Sequence, residues 1–176
     1  MIKKIPNYIR YILLNIGFLF TYLFIFRLVF YFYVANFDAA SQKDVMIAFS
    51  YGLRFDLKLA ILSYFPLSVI ILSANYLFFK KTVFRIVATI YHIITYVSLT
   101  ILYLTDIGYY SYLFTRLDAT SLRFLSNLKI STQLLIETYP VYKGIIGLFI
   151  LVLLIRFLGR KLFDKMVTKE MPYLFK

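Results

Sequence analysis

The stretch "IVATIYHIITYVSLTILYLT", residues 86–105, holds twenty side chains and no formal charge. A lipid core about 30 Å thick is crossed by about 20 apolar helical residues. This segment therefore reads as a transmembrane helix, and the rest of the chain obeys the same rule. Of its 176 residues, 62% are hydrophobic and 20% aromatic, and the mean hydropathy is +0.80. A soluble domain is roughly 45–50% apolar, so the solvent for most of this protein is hydrocarbon.

Three further spans follow from the hydropathy pattern, at about 12–34, 57–79 and 139–158. The first carries one internal charge, Arg27, and the second carries Pro66. The fourth is strictly charge-free only from Gly144 to Ile155, so Lys143 and Arg156 must snorkel their charged heads into the interfaces. The N-terminus has the basic start of a signal peptide. Its apolar run, however, outlasts the roughly 7–15 residues of a signal h-region and meets no A-x-A-like cleavage site, so it reads as an uncleaved first span.

The fold class is thus all-α, a polytopic membrane helix bundle of four transmembrane helices. Lys and Arg accumulate on the cytoplasmic side of membrane proteins. With both ends of this chain inside, the inner loops hold twelve of them and the outer loops seven, and the outer loops also hold six of the eight acids. The expected topology is therefore N-terminus and C-terminal end cytoplasmic. Net charge of +12 then reflects inner loops and anionic phospholipid headgroups; nucleic acid is not the expected partner.

Two outer connections result, 35–56 and 106–138. In the second, Asp118 stands at an N-cap position before "ATSLRFLSNL", with Leu122, Leu125 and Leu128 at helical spacing, and Ser131 can cap "TQLLIETY". Such amphipathic helices lie in the headgroup region. The tyrosines at 109, 110 and 112 fit an aromatic belt at the end of the third span. The tail "MPYLFK" looks like a chain turning apolar again, so a fifth span is expected beyond residue 176.

There is no Cys, hence neither a disulfide nor a thiolate metal site. The single His, His92, reads as a neutral imidazole bonded to a neighbouring helix. Arg27 needs a partner, because an unpaired charge within a span costs several kcal/mol. Asp56 and Asp106 are both within its reach by depth, and its role is either an anchor or a headgroup contact. Arg54, Asp56 and Lys58 open the second span on the same surface as Asp106. Those charges form either structural ion pairs or a polar recess for a lipid phosphate, with Arg54 and Arg116 as donors. No phosphate-cradling loop, nucleophile with its base, or catalytic carboxylate pair is visible.

The strings "YGLRFDLKLA" and "YLTDIGYYSYLFTRLDATSLRFLSN" carry a resemblance. Arg54, Phe55, Asp56, Asp106, Tyr109, Tyr110, Arg116, Leu117 and Asp118, with the later "FLGRKLFDK", make the chain similar to the N-terminal membrane region of the lipoteichoic acid synthase family. These are bacterial phosphoglycerol transferases and sulfatase-like proteins of the alkaline phosphatase superfamily. The resemblance implies a five-span anchor in the bacterial cytoplasmic membrane, followed by an extracytoplasmic catalytic domain with a Thr nucleophile and a divalent metal, typically Mn2+. That domain lies outside this chain, so no catalytic residue, metal ligand or cofactor carries over to it. The candidate lipid-headgroup or domain-docking residues are thus Arg54, Asp56, Asp106, Arg116 and Asp118, and Arg27 is the candidate for an intramembrane polar contact. Two alternatives stand beside it: the membrane region of a phosphoethanolamine transferase, and a small stand-alone transporter or scaffold.

Overall fold

The computed structural model describes residues 7–33, 41–73, 82–113, 116–117, 136 and 141–167. Four long helices account for nearly all of these: α1 (Asn7–Tyr33), α2 (Gln42–Ser73), α3 (Thr82–Leu113) and α4 (Val141–Val167). No strand occurs among the described residues. Each helix is long and apolar enough to cross a bilayer, with candidate spans Ile9–Phe32, Gln42–Leu72, Ile86–Ser111 and Val141–Gly159. Helix is the expected outcome, since hydrocarbon offers no partner to a backbone N–H or C=O.

Several helix ends run beyond the hydropathy reading, α4 to Val167 among them, and two of these lie in the expected outer connections. Helix α2 starts at Gln42, well inside the stretch read as the outer connection 35–56. Ser41 stands before it, its carbonyl accepting from the Val45 N–H at 3.1 Å, and Asp44 lies in the first turn. That is a serine at the N-cap position with an acid three residues on, whose charge complements the positive helix end. Helix α3 continues past Asp106 for seven residues to Leu113, about 10 Å at 1.5 Å per residue. Hydropathy stops counting at a charged residue; a backbone whose carboxylate is paired has no reason to. The amphipathic pieces expected from Asp118 and from Ser131 lie outside the described residues.

Helix α1 packs chiefly along α2, and α3 along α4; α1 also meets α3 and α4, and α3 meets α2. Side-chain pairings run antiparallel between α1 and α2 and parallel between α1 and α3. We call "distal" the end at which α1 and α3 finish and α2 begins.

The bundle sorts its side chains as lipid demands. Large apolar residues such as Phe18, Phe32, Phe65 and Phe149 are exposed, while Asn15, Asp56, His92, Thr100 and Asp106 are buried. Leu19, Leu23, Ala60, Tyr64, Leu67 and Ala88 fill the space between the helices. Lipid tails solvate Phe as well as a core does, so packing and hydrogen bonding, not apolarity, decide which face turns inward. Among the described residues every buried side-chain nitrogen and oxygen has a hydrogen-bond partner.

Pro66 sits inside α2. A proline there frees a carbonyl one turn earlier, and neighbours adjust around that turn. The Tyr91 hydroxyl donates to the Ser63 carbonyl, and the Ser68 hydroxyl donates to the Tyr64 carbonyl at 2.7 Å. Both bonds lie in the turn the proline interrupts, beside the freed Leu62 carbonyl.

His92 joins three helices. Its Nε2 lies 3.0 Å from the Tyr11 hydroxyl of α1 and its Nδ1 lies 3.2 Å from the Tyr64 hydroxyl of α2. A neutral imidazole offers one donor and one acceptor, and two hydroxyls satisfy both. A side chain added at Gly159 of α4 would meet the His92 Cδ2 at 3.6 Å, so the fourth helix closes over the ring at ordinary contact distance. His92→Phe removes one partner from each hydroxyl, Tyr11 keeping Asn15 and Tyr64 keeping Tyr96. The expected loss is about 1–2 kcal/mol, read as a lower denaturation midpoint in a dodecyl sulfate titration of the protein in mixed micelles. An unchanged midpoint would show that the two tyrosines find other partners.

Candidate functional site

The charged residues of the bundle interior gather toward its distal end. On α2 the buried face runs Gly52, Asp56, Ala60, Tyr64, Leu67, Ile71, a spacing of four and three that keeps one side of a helix inward. Asp56 is therefore the inward member of "RFDLK", while Arg54 and Lys58 point away and are exposed.

Arg27 of α1 meets Asp56 with both edges of its fork, Nε to Oδ2 at 2.5 Å and Nη2 to Oδ1 at 2.8 Å. The Tyr103 hydroxyl of α3 donates to the same Oδ1 at 3.1 Å. One carboxylate thus ties three helices together. Only 3% of its side-chain surface is exposed, against 18% for Arg27. Charge-assisted bidentate pairing of this kind is the strong form of the ion pair, and here it is what allows an arginine to reside in a span.

Gly52 makes the pairing sterically feasible. A Cβ built on Gly52 would overlap Nη1 and Cζ of Arg27. The guanidinium passes across the bare backbone of α2 to reach Asp56 one turn further along. Any side chain at position 52 would occupy its path.

A second arginine–carboxylate pair lies one turn away. Asp106 accepts from Arg116, Nε to Oδ1 at 3.1 Å and Nη2 to Oδ2 at 2.5 Å, and from the Leu117 backbone N–H at 2.9 Å. Arg116 also stacks over the Phe30 ring of α1, 4.4 Å from its centroid, and Phe30 packs edge-on against Tyr110 of α3. Residues 116–117 thus lie back beside Asp106, although α3 runs on to Leu113. Asp106 therefore holds that returning segment against the bundle.

That role gives a direct test in a chain with no cysteine of its own. In a Leu117→Cys background, Asp106→Ala is expected to raise the maleimide labelling rate at position 117 about tenfold, corresponding to loss of roughly 1.5 kcal/mol of charge-assisted bonding. An unchanged rate would mean that the stacking on Phe30 suffices to hold the segment.

The expected pairing is thus resolved. Arg27 takes Asp56 and leaves Asp106 to Arg116. Arg54 lies over the Tyr51 ring, 5.6 Å from its centroid, and joins neither pair. Asp118 lies outside the described residues. Two participants carried no sequence signal of their own: Tyr103, one tyrosine among seventeen, and Gly52, one glycine among six. Tyr103 does stand one helical turn before Asp106, on the same face of α3.

Chemically, each carboxylate accepts from three donors, two of them on an arginine, which suits both to holding helices and chain segments in place. Among the described residues no three His, Asp or Glu side chains converge as a metal site would require. A scan against protein-family models, a search of curated proteins and a search of solved structures each found no match.

Proposed function

We propose that this chain is the membrane region of a lipoteichoic-acid-synthase-like phosphoglycerol transferase or sulfatase-family protein of the bacterial cytoplasmic membrane. Its distal end faces outward, and its task is to hold an extracytoplasmic metal-dependent domain at the height of the lipid headgroups. The observation that supports this reading is convergence. The residues carrying the resemblance fall in separate stretches of sequence, yet Asp56, Asp106, Arg116 and Leu117 come together at one end of the bundle through Arg27, Tyr103 and Phe30.

A transferase that draws its donor from the bilayer needs its active site at a fixed distance from the phosphates. Three helices locked by Asp56, and a following segment pinned by Asp106, supply a rigid base for that purpose. A transporter would need polar groups left open along a path through the membrane. Here the two buried carboxylates and His92 are already bonded to other side chains.

The coding sequence beyond Lys176 provides the test. A fifth span followed by a sulfatase-like domain with a threonine nucleophile and a divalent-metal ligand set is expected. A reading frame that stops without such a domain overturns the proposal. Topology is checked separately: a lone cysteine at Ser50 is expected to react with a membrane-impermeant maleimide in intact cells, and protection until lysis would reverse the orientation.

A further inference from the structure

Helix α2 presents a second stripe opposite its buried face. Ile47, Tyr51, Arg54, Lys58, Ile61 and Phe65 follow one another at steps of four and three, and all are exposed. Its two cations stand four residues apart, so they share a face and repel one another. Neither has a carboxylate partner among the described residues, because Asp56, the acid between them in sequence, is turned inward to Arg27. Each leans along an aromatic ring one turn nearer the distal end: Arg54 on Tyr51 and Lys58 on Phe55, both 5.6 Å from the centroid. That lean follows from the tilt of helical side chains toward the N-terminus of their helix, which for α2 is the distal end.

Beside Arg54, the residues Met46, Ile47, Ser50 and Tyr51 line a shallow recess. On the other side of Lys58, from Leu59 to Phe79, the sequence has no formal charge. Two cations without a carboxylate partner among the described residues therefore stand between a shallow recess and an apolar stripe long enough for an acyl chain. We propose that this stripe binds one anionic phospholipid, its phosphate held between Arg54 and Lys58 and one acyl chain lying along Ile61 and Phe65. At the distal end this pairing of cations is particular to α2: α4 turns an equally apolar face to the lipid but has only Lys143 there, its other cations, Arg156, Arg160, Lys161 and Lys165, lying toward its opposite end. This site does not rest on the transferase reading, since it is a property of the bundle in a bilayer.

The chain has no tryptophan, so one introduced residue reports alone. Phe65→Trp places it on the stripe and Phe149→Trp places it on the lipid face of α4, both at exposed positions. The protein is reconstituted in phosphatidylcholine vesicles containing either brominated phosphatidylglycerol or brominated phosphatidylcholine, and tryptophan quenching is measured. At position 65 the brominated phosphatidylglycerol is expected to bind about 25-fold more strongly, since each of the two cations attracts an anionic lipid about fivefold and the factors multiply. At position 149 the preference is expected to be no more than about fivefold.

Arg54→Gln with Lys58→Gln is expected to abolish the preference at position 65, and Arg54→Lys to retain most of it. Both side chains are exposed, and unchanged helical circular dichroism confirms that the variants remain folded. Equal quenching by the two lipids at position 65, or a preference that survives the double substitution, overturns the proposal. Loss of the preference in millimolar inorganic phosphate, at an ionic strength matched with chloride, would assign the cations to a free phosphate and overturn the lipid site as well.

Discussion

Asp56→Asn is expected to lower the stability of the bundle by about 3–5 kcal/mol, the cost of leaving a buried arginine without its counter-charge. The amide keeps the size of the carboxylate and can still accept from Tyr103, so packing is nearly unchanged. What disappears is the negative charge that lets Arg27 remain within α1. The result should be a displaced midpoint in a dodecyl sulfate titration followed by circular dichroism, with α1 the helix that loosens first.

A paired substitution distinguishes charge from packing. Arg27→Met together with Asp56→Leu removes both charges and fills similar volume, and buried pairs replaced in this way usually cost little or stabilise. The double variant is therefore expected to recover to within about 1 kcal/mol of the parent. The coupling between the two sites should then exceed about 2 kcal/mol. A single variant Asp56→Asn that melts with the parent would mean that Arg27 reaches water or headgroups by itself, and the three-helix tie would have to be abandoned.

Gly52→Ala carries the second large effect. Its Cβ would coincide with the guanidinium as it crosses α2, so either Arg27 swings away from Asp56 or α1 moves outward. Alanine is otherwise the better helix former by about 1 kcal/mol, so an ordinary exposed glycine replaced in this way would gain stability. Here a loss of about 2–3 kcal/mol is expected, the cost of breaking part of a buried ion pair.

The background decides the cause. In Arg27→Met the obstruction is a flexible thioether that can bend aside, and Gly52→Ala is expected to be neutral or stabilising there. A penalty of the same size in both backgrounds would place the clash in the α1–α2 backbone contact and not in the path of Arg27.

The polar interior explains why the sites differ in sensitivity. Tyr22 and Thr100 share a hydrogen bond at 2.6 Å, and the Thr100 hydroxyl donates to the Tyr96 carbonyl within α3, also at 2.6 Å. Loss of one such neutral bond leaves partners that can re-pair, since transmembrane hydrogen bonds average about 0.6 kcal/mol. Asp56 has no such latitude. Its partner is a charge, and a charge in hydrocarbon has no neutral alternative nearby.

The four spans, the all-helical class and the need of Arg27 for a carboxylate are all legible in the sequence, because insertion into lipid depends on composition summed along a local stretch. "IVATIYHIITYVSLTILYLT" requires a membrane whatever surrounds it. The start of α2 has a local sequence signal in Ser41 and Asp44, but the hydropathy reading of 35–56 as an outer connection makes no use of it. Which carboxylate Arg27 takes was not legible. Asp56 and Asp106 lie at similar depth, and a shift of one residue turns a helix side chain by about 100°; only the rotation and register of α1 against α2 and α3 select Asp56. The same packing gives Gly52 and Tyr103 their roles and leaves Arg54 and Lys58 facing lipid. Hydropathy places a residue along the membrane normal, whereas a partner is chosen around the helix axis, and that angle is set by the contacts between helices.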